Sequence, residues 1–153
     1  PHPNVTIGKK CSIFPVEFVM RAYVTGTTGT SIWQNYNSGM RRYCGHDLPD
    51  GLVKNQKLPV PLLTPTTKDE HDELTSAEEI VARGRMSAEE WEVCAVYAKA
   101  LFAYSQGRAA EKGLILVDTK YEFGKDAGGR ILLVDELQTP DSSRYDLKTD
   151  LAG

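Results

Sequence analysis

The chain has 153 residues, a formal net charge of −3, and 41% hydrophobic against 25% charged residues. That length suffices for one domain with its own core, and the charge gives no basic footprint for nucleic acid or an anionic membrane surface. No apolar run approaches a membrane helix and no signal-peptide pattern precedes the first strand; three scattered cysteines (Cys11, Cys44 and Cys94) argue against a disulfide framework or zinc motif and for a reduced cytosolic or stromal setting.

Residues 1–11 are polar and mixed, as an edge segment would be. Val16 to Val24 reads as a strand, rich in β-branched and aromatic residues and bounded by Pro15 and Gly26. Glu17 and Arg21 lie two strand repeats apart and so share a face, with a cross-strand ion pair on a wet surface as the plain alternative. The Gly/Thr-rich TGTTGTS loop follows, with backbone amides and hydroxyls able to cradle a phosphate, although such loops are frequent. Ile32 to Met40 suggests a short helix, and Leu58 to Leu63 is a proline-studded run suited to a sheet edge. The stretch TPTTKDEHDE, with Lys68 and the His71-Asp72 pair, reads on its residues as a solvated loop.

Two capping boxes come next. Ser76 with Glu79 opens a short helix ending near Gly84, and Ser87 with Glu90 opens a long one ending at Gly113. In the long helix Trp91, Cys94, Ala98, Leu101, Phe102 and Ser105 recur at three- and four-residue spacing, a stripe for packing on a sheet.

The chain's most informative stretch is Leu114 to Tyr145. Two apolar runs, LILVDTKYEF and RILLVDELQT, flank the turn GKDAGG, which predicts a β-hairpin. Asp118, Lys120 and Glu122 alternate and share a face. A turn centred on Ala127 and Gly128 sets Lys120 opposite Asp135, so Lys120, Glu122 and Asp135 converge. A surface hairpin could carry such charges on its wet face. The Leu/Ile/Val content of the runs and the following TPDSSR turn point instead to chemistry: paired carboxylates suit Mg²⁺, and an arginine among serines suits a phosphate. The whole predicts an α+β fold, a mostly antiparallel sheet with one long packed helix.

LVDTKYEFG followed by DELQTPDSSRY closely resembles the second signature of the SAICAR synthetase family, and FPVEFVMRAYVTGT resembles its first. The likeness runs from about Lys9 to Tyr145. Departures are Gly26-Thr27, where the family has Gly-Ser, and Asp146, where it usually has Trp. The resemblance implies a kinase- or ATP-grasp-like cleft, of which residues 1–153 would form a single substrate- and metal-binding lobe; the family's N-terminal ATP lobe and C-terminal helices are expected to be absent. It implies an ATP-dependent ligase that joins L-aspartate to carboxyaminoimidazole ribonucleotide, with ATP as co-substrate and Mg²⁺ as cofactor. Glu122 and Asp135 would be metal ligands and Lys120 would lie near the transferred phosphoryl group. Arg21, Thr27, Ser143 and Arg144 would hold the ribonucleotide 5′-phosphate, Asp141 would face the ribonucleotide, Glu17 would approach the imidazole carboxylate through a second Mg²⁺, and Lys68 would line the cleft. The implied partners are these small molecules, with no nucleic acid or membrane, in a cytoplasmic or plastid-stromal protein compatible with a homo-oligomer. The alternative is a truncated, non-catalytic ribonucleotide-phosphate module. A protein-kinase relative fits less well, since neither Asp-Phe-Gly nor His-Arg-Asp occurs.

Overall fold

The computed structural model describes residues 7–69 and 72–147. Its organising strand is β7 (Leu114–Lys125), twelve residues long and buried along most of its length. On one edge it pairs antiparallel with β1 (Ser12–Ile13) and β2 (Val16–Tyr23), and on the other with β8 (Ile131–Val134) and β9 (Ser143–Leu147). β2 in turn pairs with β5 (Lys57–Leu63) and the short β6 (Thr66–Thr67). Pro59 and Pro61 lie in β5, which closes the strand order β1-β7-β2-β5 and so sits where missing N–H donors cost least. β3 (Arg42–Tyr43) and β4 (His46–Asp47) form a separate two-stranded ribbon.

Both expected helix starts are realised in full. Ser76 accepts from the Glu79 N–H and Glu79 reaches back at α2 (Ala77–Ala82), and Ser87 and Glu90 do the same at α3 (Ala88–Glu111). Gly113 beyond α3 takes φ 73°, as a C-terminal stop requires. α1 (Ile32–Asn37) ends earlier than the sequence suggests, at the Gly39 turn.

α3 lies across one face of the sheet. Cys94, Ala95, Ala98, Phe102 and Ala109 pack on Val16, Phe18, Met20, Tyr121 and Phe123, the alternate residues of β2 and β7. Phe18 stacks on Trp91 at 5.0 Å and meets Phe123 edge-on at 5.1 Å. Fully buried Phe18, Phe102 and Phe123 each contribute about 1.5–3 kcal/mol. A second cluster, Val24, Ile32, Tyr36, Tyr43, Leu48 and Leu58, supports the loop after β2. Among the described residues no helix is long and apolar enough to cross a membrane.

The hairpin differs from expectation by one residue. Lys125 pairs with Ile131 and Glu122 with Val134, because Asp126 caps a longer turn. Its carboxylate accepts from the Gly128 and Arg130 N–H groups and pairs with Lys9 and Arg130. This register removes Asp135 from the place opposite Lys120. The expected Ser-Ser-Arg turn is also shorter: it ends at Ser142, and Ser143 and Arg144 begin β9.

Candidate active face of the sheet

The sheet face away from α3 carries the site. Directly opposed residues share a face, and Asp118 is opposed by Arg21 on β2 and by Arg144 on β9. The three form one row across the sheet. Arg144 Nε donates to Asp118 Oδ1 at 2.8 Å, and its Nη2 bonds the other oxygen. Arg21 Nη1 stands 3.6 Å from Asp118 Oδ2. Arg21 and Asp118 are only 6% and 7% exposed, whereas Arg144 reaches solvent. The bond to Asp118 is the main reason that the Arg144 guanidinium holds its proton more firmly than usual.

Further along β7 the same face carries Lys120 and Glu122. Lys120 Nζ donates to Glu17 Oε1 at 2.8 Å, and Lys68 pairs with buried Glu122. The Lys120 ammonium is raised above its ordinary pKa chiefly by the Glu17 hydrogen bond, with the charges of Glu17, Glu122 and Asp135 adding to it. Asp135 therefore remains near Lys120 despite the altered register. Its backbone is left-handed, φ 65°, at the end of β8. The face thus holds four carboxylates, Glu17, Asp118, Glu122 and Asp135, interleaved with four cations, Arg21, Lys68, Lys120 and Arg144. The arginine row and the Glu17/Glu122 end are four residues apart on β7, about 13 Å.

The Gly/Thr loop borders the arginine end. Gly26 is buried with φ 103°, and a Cβ there would lie 2.4 Å from Ser31 Cβ and 3.3 Å from Arg144 Nη1. Only glycine lets the loop close on the arginine. The Thr30 carbonyl accepts from Arg21 Nη2 at 3.3 Å and from the Tyr43 hydroxyl at 2.6 Å, while Arg21 Nε donates to Thr64 Oγ1 at 3.0 Å. Arg21 thus has its donors engaged within the protein. Thr27 is exposed beside Gly26, and Asp141 is exposed in the turn before β9.

Ser143 departs from the expected grouping. It opposes Thr119, so it points toward α3, and the two hydroxyls bond at 2.7 Å. Strand alternation separates it from Arg144. His71 lies outside the described residues, and its expected neighbour Asp72 is exposed. Sequence reasoning placed Asp118 on this face without giving it a role, and it missed Tyr43 and Thr64. Asp118 had its signal in the alternation with Lys120; the other two are a core tyrosine and an isolated threonine with no local pattern.

Among the described residues no three His, Cys, Asp or Glu side chains gather to hold a metal by themselves. Glu122 and Asp135 are of the donor type that Mg²⁺ takes, one or two carboxylates together with water and phosphate oxygens, and Glu122 is paired with Lys68. The fold and this face define an α+β lobe with interleaved carboxylates and cations on one side of its sheet. The chain belongs to the SAICAR synthetase family, whose model matches residues 1–153. It is 60% identical over 146 residues to a phosphoribosylaminoimidazole-succinocarboxamide synthase of Legionella pneumophila, covering 95% of this chain and 47% of the relative. It resembles the SAICAR synthase of Saccharomyces cerevisiae complexed with SAICAR, with TM-score 0.75 and 34% identity over 92% of this chain and 44% of the other. A SAICAR synthetase in complex with ADP matches with TM-score 0.73 and 27% identity, over 92% and 53%. The chain spans about half the length of the curated relatives it matches.

Proposed function

We propose that this chain forms the substrate- and metal-binding lobe of an ATP-dependent ligase, which joins L-aspartate to carboxyaminoimidazole ribonucleotide to give SAICAR, ADP and phosphate. The observation that carries this reading is the division of the charged face, with arginines at one end and carboxylates with lysines at the other. A ribonucleotide that bears a carboxylate has an anion at each end: its phosphate would take the arginines, and its carboxylate the lysines, with Mg²⁺ offsetting the repulsion from Glu17, Glu122 and Asp135.

A carboxylate is a poor electrophile. Its conversion to an acyl phosphate supplies a leaving group, and the aspartate amine then attacks the carbonyl and expels phosphate. Positioning and charge neutralisation supply most of the catalysis in such a transfer. Arg144 offers its outward donors to the 5′-phosphate beside the Gly26-Thr27 backbone. Arg21 acts from below, holding the loop through the Thr30 carbonyl and sharing Asp118 with Arg144. Lys120 stays charged and faces the phosphoryl group in flight. Glu122 and Asp135 would hold Mg²⁺, which when bound neutralises phosphate charge. Glu17 lies at the imidazole-carboxylate end, with Lys68 as counter-charge to Glu122 and Asp141 toward the ribonucleotide. The Ser143 hydroxyl, bonded to Thr119, serves the architecture of β9.

In an enzyme that carries this chain, Asp135→Asn should abolish aspartate- and Mg²⁺-dependent formation of the succinocarboxamide while leaving the fold intact by circular dichroism. Full turnover by that variant would overturn the metal assignment.

A further inference from the structure

Residues 135–142 connect β8 to β9, with Asp135 at the start and Arg144 just past the end. Two non-glycine residues in this connection are left-handed, Asp135 at φ 65° and Gln138 at φ 55°. Such backbone is costly and persists only where surrounding contacts hold it. Asp135, Glu136 and Leu137 are exposed and provide little hold. Its other bonds are mostly local: the Ser142 N–H donates to the Thr139 carbonyl and the two hydroxyls meet at 3.1 Å, while at its far end the Ser142 carbonyl accepts from Thr119 Oγ1 of β7 at 3.4 Å.

Gln138 is different. Its side chain reaches through to the α3 side of the sheet. Nε2 donates to the Tyr121 hydroxyl at 2.6 Å, and Oε1 accepts from Ser105 Oγ at 2.5 Å. Tyr121 and Ser105 are buried, one on the central strand between Lys120 and Glu122, the other in α3. One amide therefore ties a strained, exposed connection to the central strand and the long helix.

We propose that Gln138 is a positioning residue, whose amide, clamped between Tyr121 and Ser105, holds residues 135–142 so that Asp135 sits at the carboxylate end of the charged face and β9 enters with Arg144 beside Asp118. The positioning of Asp135 for a metal rests on the function proposed above; the clamp itself does not. The geometry also gives α3 a route to the site, because Ser105 is the helix residue that reaches this connection.

The test compares the 153-residue chain with Gln138→Met, which keeps volume and loses both bonds, and Gln138→Glu, which keeps two acceptors for the Tyr121 and Ser105 hydroxyls. Hydrogen exchange is followed across residues 135–145, and Mn²⁺ affinity is titrated in the presence of ATP. Gln138→Met should exchange roughly tenfold faster or more in this segment, with α3 unchanged, and should bind Mn²⁺ several-fold more weakly; Gln138→Glu should recover part of both effects. Should Gln138→Met fail to fold, Ser105→Ala removes one bond within a good helix former and should give a smaller change in the same segment. Unchanged exchange in residues 135–145 would overturn the clamp. Faster exchange with unchanged Mn²⁺ affinity would overturn the positioning role. If the parent chain binds no Mn²⁺ while the exchange responds as expected, the positioning role is overturned for this chain and the clamp stands.

Discussion

Asp118 is the residue on which the arginine row depends, and its replacement by asparagine gives the sharpest energetic prediction. The side chain is nearly isosteric, so packing is retained and the charge is removed. Arg21 is then left almost fully buried without a counter-charge, facing Arg144 across the central strand. Leaving one partner of a buried pair uncompensated costs about 3–5 kcal/mol. The asparagine oxygen can still accept one hydrogen bond, which brings the expected loss to about 3 kcal/mol. Arg144→Ala should behave differently. Arg144 reaches solvent, and Asp118 keeps Arg21 as partner, so the loss should be near that of a partly exposed pair, about 1 kcal/mol. Urea denaturation of both single variants and the double variant measures the two losses and their coupling, expected at about 0.5–3 kcal/mol. A loss below about 0.5 kcal/mol for Asp118→Asn, or a larger loss for Arg144→Ala, would refute the idea that Asp118 neutralises a buried Arg21.

Two further predictions concern other parts of the fold. Burial pushes the Tyr43 and Tyr121 hydroxyls up to about 12 from 10.0, and the Glu17 hydrogen bond raises Lys120 above 10.5. All three are raised in the folded state, so their stabilisation is intact below pH 10 and lost as pH climbs toward about 12; denaturation midpoints that stay flat across that window would contradict the assigned burial. A Cβ at Gly124 would lie 2.8 Å from the Ser12 carbonyl oxygen and 3.2 Å from Ile13 Cα, both backbone atoms. Gly124→Ala should therefore detach β1, cost about 1–3 kcal/mol and speed tryptic cleavage after Lys9 and Lys10, which are already exposed but held by the backbone pairing of β1; an unchanged digestion rate would refute that close approach.

The features of this molecule that are written locally in the chain are legible in its sequence. Both capping boxes, the Gly113 stop, the α3 stripe and the proline-bearing edge strand depend on neighbours within a few residues. Alternation alone puts Glu17 and Arg21 on one face of β2, and Asp118, Lys120 and Glu122 on one face of β7, because a strand repeats every two residues; the β2–β7 pairing joins the two sets. Register is the part that pattern does not carry. The one-residue shift comes from Asp126, whose carboxylate organises a longer turn than Ala127-Gly128 would, and no periodicity announces that choice. Asp135 follows β8 in a left-handed conformation that pattern reasoning does not foresee. Ser143 and Arg144 look like one anion-binding unit when written side by side. As consecutive residues of β9 they point to opposite faces, and only the pairing with Thr119 and Asp118 reveals which residue serves the site. Tyr43 and Thr64 come from segments distant in sequence and meet Arg21 only through the fold.

The central claim is that the arginine end of the sheet face receives the phosphate of a ribonucleotide. Calorimetric titration with carboxyaminoimidazole ribonucleotide and Mg²⁺, run on the parent chain, Arg144→Ala and Ser143→Ala, tests it most directly. Loss of one charge-assisted phosphate contact is worth about 1.5–3 kcal/mol, so Arg144→Ala should bind roughly tenfold to a hundredfold more weakly. Ser143→Ala should keep the parent affinity. Equal affinity in the parent chain and Arg144→Ala, or loss confined to Ser143→Ala, would contradict the account.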